Sequence, residues 1–168
     1  MSGLGVADRP QGTHLACPGS QGGVAIGRVG HIKDAGSPMN ERDTTSVLEE
    51  TIARYNDAWN AHDVEAIVAL HAPGMVFENH TAGERAEGDA VRGHITAIFE
   101  SWPDLTFRTR RLYVRDGLVV CEWTATATRH ETGERLEWDG IDVFPFADGK
   151  VLRKDVYSAS HRARVLSG

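Results

Sequence analysis

The chain has 168 residues, of which 40% are hydrophobic and 25% charged, with a net charge of −6 and two cysteines. That length and composition lead us to expect one soluble globular domain, and the acidic balance disfavours nucleic acid as a partner. No apolar run approaches the roughly 20 residues that cross a membrane, so no membrane partner is expected. Cys17 lies in a glycine-rich tail and Cys121 in an apolar strand pattern, which gives no disulfide framework. With no secretory start visible, a cytoplasmic setting with free thiols is expected. The basic run Arg108, Arg110, Arg111 and Arg115 is bracketed by Asp104 and Asp116 and reads as a solvated strand face or interface.

Residues 1–38 hold nine of the 18 glycines, three of the six prolines and no aromatic residue. Such a segment buries too little apolar surface to offset its ordering entropy, so 1–38 reads as a disordered tail and 39–168 as the folded domain. Met39 is a candidate for the true start.

Val47 to Ala61 reads as the first helix, capped by Thr45 or Ser46. Leu48, Ile52, Tyr55 and Trp59 form its inward stripe. Asp63 caps a short second helix, Val64 to His71, ended by Pro73-Gly74. Met75 to His80 reads as a strand leading into a polar loop from Thr81 to Gly88. Asp89 opens a third helix with Val91, Ile95, Ile98, Phe99 and Trp102 on one side. From Leu105 the pattern alternates as strands do. Strands Leu105–Arg115, Leu118–His130, Arg135–Phe146 and Lys150–Ser158 are separated by turns at Asp116-Gly117, Glu131-Thr132-Gly133 and Asp148-Gly149.

On the third of these strands Trp138, Gly140, Asp142, Phe144 and Phe146 share one face. Asp142 is thus a carboxyl in apolar surroundings, which must be paired, hydrogen-bonded or protonated. By parity Leu152, Lys154 and Val156 point inward on the last strand. Lys154 then lies across the hairpin from Asp142, and if the two pair, Asp142 is an anion.

Three helices followed by a strand meander predict an α+β fold. In order and motif the chain resembles the cone-shaped superfamily of nuclear transport factor 2, ketosteroid isomerase and the SnoaL-like polyketide cyclases. Phe99-Glu100-Ser101-Trp102-Pro103-Asp104-Leu105 is similar to the helix end of SnoaL-like proteins. Arg129-His130-Glu131-Thr132-Gly133 resembles their hairpin, and Asp148-Gly149-Lys150-Val151 matches the superfamily's last turn. The resemblance covers Val47 to Tyr157 and implies three helices packed in a curved antiparallel sheet, a cystatin-like α+β barrel. Arg54-Tyr55, Asn60-Ala61-His62-Asp63 and Ile67-Val68-Ala69-Leu70 look like the first two helices of the isomerase. The likeness places Tyr55 and Asp142 on that enzyme's oxyanion hole, where a neutral carboxylic acid donates a hydrogen bond.

Two departures stand beside it. The isomerase's base position holds Asn79, which takes up no proton at neutral pH, and His80 serves only if its loop turns inward. The acid of the cyclases falls on Val156, with Asp155 one residue off and so on the other face unless a bulge re-aims it.

The resulting expectation is a small enzyme acting on a hydrophobic carbonyl compound of steroid or polyketide type. Tyr55, Asp142, His80 and Asn79 form its catalytic set. Trp59, Phe77, Phe99, Trp123, Trp138, Phe144 and Lys154 are its ligand-binding residues. A non-catalytic ligand-binding or dimerising module of the same fold is the alternative. A homodimer through the outer sheet face, with Ile141 and Val143, is expected in either case. His62, His71, His80 and His94 lack ligand spacing and no phosphate loop appears, so no metal and no cofactor are expected. His62 and His94 are expected in solvent and His71 at a helix end.

Overall fold

The structure is a computed structural model and describes residues 41–115 and 117–166. The expected tail 1–38, the candidate start at Met39, Cys17 and the Asp116 half of the first turn lie outside the described residues.

Helix α1 spans Glu41–Asn60, so Thr45 and Ser46 lie inside it rather than capping it. Its stripe is buried as the spacing requires: Leu48, Ile52, Tyr55 and Trp59 are each at most 4% exposed. Burying a side chain of that size contributes about 1.5–3 kcal/mol, which outweighs the weak propensity of such mixed helices. Helix α2 is Val64–Ala69, with Asp63 accepting from Ala66 N at 2.9 Å. Strand β1, His71–Asn79, starts earlier than expected and takes His71 from the helix. The loop after it contains a short strand β2, Glu84–Glu87. Helix α3, Ala90–Ser101, buries Val91, Ile95 and Phe99, and the Asp89 side chain makes no capping bond.

The remaining strands are β3 Thr106–Arg115, β4 Leu118–Thr128, β5 Arg135–Ala147, β6 Lys150–Ser158 and β7 Arg164–Val165. They form one sheet in the order β2-β1-β6-β5-β4-β3, with β7 paired to the start of β5. The sheet is mixed, not purely antiparallel, because β1 runs parallel to β6. A parallel pair needs a long connection, and here α3 and the meander supply it. The β5–β6 turn has φ of 50° at Asp148 and 71° at Gly149, the two positive values a tight hairpin demands.

A register shift in β5–β6 lies between Val143 and Phe146. It breaks parity on β6, so Val151 is buried and Leu152 is exposed, against expectation, while Lys154 and Val156 still point inward. On β4 Val119, Cys121, Trp123, Ala125 and Ala127 make an unbroken buried row. The outer face carries Ile141 and Tyr157, both exposed. Two polar clamps hold the helices. Asn60 exchanges two hydrogen bonds with the Phe107 backbone, at 2.7 and 2.9 Å. The Asp104 carboxylate accepts from Thr128 N and Thr128 Oγ1, which hold it below the usual carboxylate range and tie the end of α3 to β4.

Candidate functional site

Strand alternation brings Asp142 and Lys154 to one point inside the sheet. Asp142 pairs with Cys121 on β4 and Val156 on β6, and Lys154 sits beside Phe77 on β1. Lys154 Nζ donates to Asp142 Oδ2 at 2.5 Å, and the two residues are 5% and 4% exposed. Four rings surround the ammonium, with centroids at 4.7 Å (Trp59), 5.1 Å (Phe144), 5.6 Å (Tyr55) and 6.0 Å (Phe77). Ring faces attract a desolvated cation. Of the two roles left open by the sequence, the paired one is what the geometry supports, and Asp142 acts as an acceptor rather than a neutral donor.

Tyr55 lies against this cluster, with its ring edge-on to Phe144 at 5.6 Å. Its hydroxyl is engaged elsewhere, hydrogen-bonded to His71 Nε2 at 3.1 Å. Burial, reinforced by the Asp142 charge, pushes the Tyr55 phenol far above its ordinary range. Burial first, then Lys154 and Lys150, lowers His71 to about 4, so its ring is neutral. The structure therefore brings Tyr55 and Asp142 near each other, but their polar atoms do not converge on one cavity point.

A cavity of about 370 Å³ opens beside the pair. Trp59, Phe77, Trp123, Trp138, Asp142 and Lys154 line it, and so does Asn79. Trp102 joins them, so all four tryptophans of the chain face this space. The Trp123 ring lies over Gly140, directly opposite on β5, where any Cβ would overlap the six-membered ring. Phe99 and Phe144 do not reach the cavity wall. Phe99 packs between His62, stacked at 4.2 Å, and Trp59, while Phe144 is fully buried beneath the ammonium. Asn79 Oδ1 accepts from Thr81 N and Ala82 N, both at 3.2 Å, and so shapes the turn after β1.

Four cavity-lining residues present buried polar atoms without a hydrogen-bond partner: Trp59 Nε1, Asp142 Oδ1, Trp123 Nε1 and His94 Nε2. Of these, Trp59 Nε1 neighbours the Tyr55 hydroxyl and acts to lower that phenol against the stronger effect of burial. Buried polar atoms are rarely left so, because each costs about 1–3 kcal/mol. His94 Nε2 is 3.9 Å from Glu84 Oε2, too far to bond, and its ring packs on Phe77 at 4.8 Å. The expectation of a solvated His94 is thus corrected. The signal was present in the sequence, since His94 falls on the Val91, Ile95, Ile98 stripe of α3. His62 is likewise not free in solvent, bonding the Leu105 carbonyl at 2.7 Å.

His80 does not enter the cavity. Its backbone leaves β1 on the outer side, where Nε2 meets Asp155 Oδ1 at 2.7 Å and the ring stacks on Tyr157 at 4.5 Å. Asp155 is on that same face, so no bulge re-aims it inward. Glu78, His80 and Asp155 offer ligand atoms within 4.8 Å of one another. Arg153 bonds both Glu78 and Asp155, holding each carboxyl below its usual range, and Arg85 adds a bond to Glu78 at 3.0 Å. A cation would have to displace a guanidinium from both carboxylates, so this cluster is occupied by its own charges.

No curated protein matches the chain. Among solved structures, a candidate SnoaL-like polyketide cyclase from Jannaschia sp. CCS1 aligns at 18% identity over 77% of this chain and 93% of its own, with a TM-score of 0.65. SalBIII, an epoxide hydrolase/cyclase-like enzyme described in pyran ring formation of the polyether salinomycin, aligns at 21% identity, over 72% and 97%, with a TM-score of 0.65. IdmH, a candidate polyketide cyclase from Streptomyces antibioticus, aligns at 22%, over 68% and 93%, with a TM-score of 0.60. At these identities the likeness is one of fold. The family profile for the SnoaL-like domain matches residues 52–154. That stretch runs from the α1 stripe to the cavity lysine, and the chain belongs to the SnoaL-like domain family.

Proposed function

We propose that this chain is a small-molecule enzyme of the cyclase or isomerase kind, acting on a flat, apolar ring compound that carries a carbonyl and a hydroxyl. The observation that carries this reading is the unpartnered polar atoms of Asp142, Trp123 and His94 in a tryptophan-lined cavity. A ligand hydroxyl donates to Asp142 Oδ1, a ligand carbonyl accepts from Trp123 Nε1, and the rings supply the apolar contact. The Lys154 ammonium holds Asp142 through Oδ2 and leaves Oδ1 to orient the ligand hydroxyl. His94, with a free Nε2 on the cavity wall, is the proton carrier in place of His80.

Because all four tryptophans line the cavity, intrinsic fluorescence reports on it directly. A hydroxynaphthyl ketone is expected to quench the emission with micromolar affinity. The parent naphthalene lacks both polar groups and is expected to bind at least tenfold more weakly, the size of one lost hydrogen bond. Equal affinity for the two compounds, or no quenching by either, refutes the reading. A non-catalytic carrier is the alternative, favoured by Asn79 at the base position of the isomerase branch. The two differ in His94→Phe: an enzyme loses turnover with binding kept, whereas a carrier has no turnover to lose.

A further inference from the structure

The chain carries only three lysines against fifteen arginines. Lys33 lies outside the described residues, and Lys150 Nζ donates to the Ala69 carbonyl at the surface. Lys154 alone of the two described lysines is driven into the interior, onto a cavity wall, beside a carboxylate. A guanidinium would serve a structural pair better, with more donors and a fork that fits a carboxylate. A primary amine has one property that guanidinium lacks: it becomes a nucleophile once it loses a proton.

We propose that Lys154 forms an imine with the carbonyl carbon of an aldehyde or ketone seated in the cavity, with Asp142 carrying the protons. This rests on the cavity being a ligand site, as argued above. The surroundings oppose and favour the step in identifiable ways. The four ring faces attract the ammonium form. Against that, a dry site penalises two separated charges, and proton transfer across 2.5 Å to Asp142 Oδ2 converts an ion pair into a neutral pair. The unpartnered Asp142 Oδ1 then faces the cavity, free to serve the departing oxygen.

The step balances without a co-reactant. The Lys154 ammonium gives one proton to Asp142. The amine nitrogen attacks the carbonyl carbon, a C–N bond forms, and the π pair moves to oxygen. Asp142 protonates that oxygen while a nitrogen proton is released to it, giving a neutral carbinolamine. Asp142 then returns its proton to the hydroxyl, water leaves, and the nitrogen lone pair closes the C=N bond. Ammonium and carbonyl have become iminium and water, with Asp142 again a carboxylate. An iminium draws electrons from the adjacent carbon and acidifies its protons, which is the activation that aldol-type ring closure needs.

The test uses the full chain, 6-methoxy-2-naphthaldehyde and sodium borohydride. Reduction turns an imine into a stable secondary amine, read by intact mass and located by peptide mapping. The expected result is a single adduct on Lys154, with Lys33, Lys150 and the amino terminus unmodified. Lys154→Arg keeps the charge and is expected to abolish the adduct. Asp142→Asn is expected to slow trapping about a hundredfold, the lower end for loss of a positioned base. Tryptophan quenching by carbonyl-free 2-methoxynaphthalene is measured alongside. Quenching with no adduct on Lys154, or with adducts spread evenly over all amines, overturns the imine and leaves the ligand-site reading standing. No quenching by either compound removes the ligand site and the imine with it.

Discussion

Removing one member of the Lys154–Asp142 pair is the sharpest test of how this interior is held together. At 2.5 Å the attraction is about 7 kcal/mol if the effective dielectric constant is near 20. Desolvating each charge costs several kcal/mol, so the net worth of the intact pair is small. A single truncation does not return that desolvation, because the survivor stays buried. Lys154→Met leaves Asp142 with neither oxygen partnered, since Oδ1 has none already, and is expected to cost about 3–5 kcal/mol. Asp142→Leu leaves the ammonium among four rings within 6.0 Å, which recovers part of the loss. Its cost is expected to be about 2–4 kcal/mol. The double variant Lys154→Met/Asp142→Leu is expected within about 1 kcal/mol of the parent, because it buries no charge at all. Urea unfolding followed by far-ultraviolet circular dichroism reads all four corners of the cycle. The Lys154→Met loss corresponds to a melting temperature lowered by about 10–20 °C for a domain of this size. Additive costs, with a coupling below about 0.5 kcal/mol, refute the account and mean that the pair is not desolvated in solution.

Three further outcomes are expected. His71 is lowered to about 4 while an unfolded histidine titrates near 6.5, so the unfolded chain binds the extra proton. The stability from His71 is fully present above about pH 6.5 and is lost as pH falls towards 4. It amounts to about 2 kcal/mol once partial exposure is discounted, and His71→Gln flattens that limb of a stability–pH profile; an unchanged profile contradicts it. Gly140→Ala pushes the Trp123 ring off its seat and is expected to cost about 1–3 kcal/mol and shift tryptophan emission, whereas an unaltered emission spectrum shows that the ring is not seated there. Asp104→Ala frees Thr128 N and Oγ1 and is expected to cost about 1–2 kcal/mol in a thermal melt, with a loss under 0.3 kcal/mol counting against the clamp.

The fold was legible because it rests on period and turn chemistry. The Leu48, Ile52, Tyr55 and Trp59 stripe and the alternating row of β4 are patterns that only one packing buries. The parallel pairing of β1 with β6 was not legible, since it joins residues such as Phe77 and Lys154, 77 positions apart, and leaves no local mark. The same pairing decides the site. It sets Phe77 beside Lys154 and completes the ring cage, and it carries His80 to the outer face beside Asp155. The β6 parity break was hidden for a related reason: a bulge is a property of two strands together, and Leu152 reads as inward on β6 alone. Tyr55 was correctly turned inward by its stripe, but the stripe says nothing of the His71 nitrogen that takes its hydroxyl.

The replacement of an oxyanion hole by an ion pair changes which chemistry this cavity favours. A neutral acid and a tyrosine would both donate to one oxygen, so their ligand is an enolate and the protein supplies no nucleophile. Here Tyr55 is bonded to His71, and Asp142 accepts from an amine. A ligand anion entering this space meets the Lys154 ammonium and the Asp142 carboxylate 2.5 Å apart, so their fields largely cancel at ligand distance. A neutral ligand suffers no such cancellation and gains the free acceptor at Oδ1 and the free donor on Trp123. The site is therefore expected to prefer neutral hydroxy-carbonyl compounds to phenolates of the same size. Comparing a naphthol above and below its own ionisation, at constant ionic strength, checks this. Tighter binding of the phenolate would mean that Lys154 acts as a lone cation and that the Asp142 charge is screened or absent.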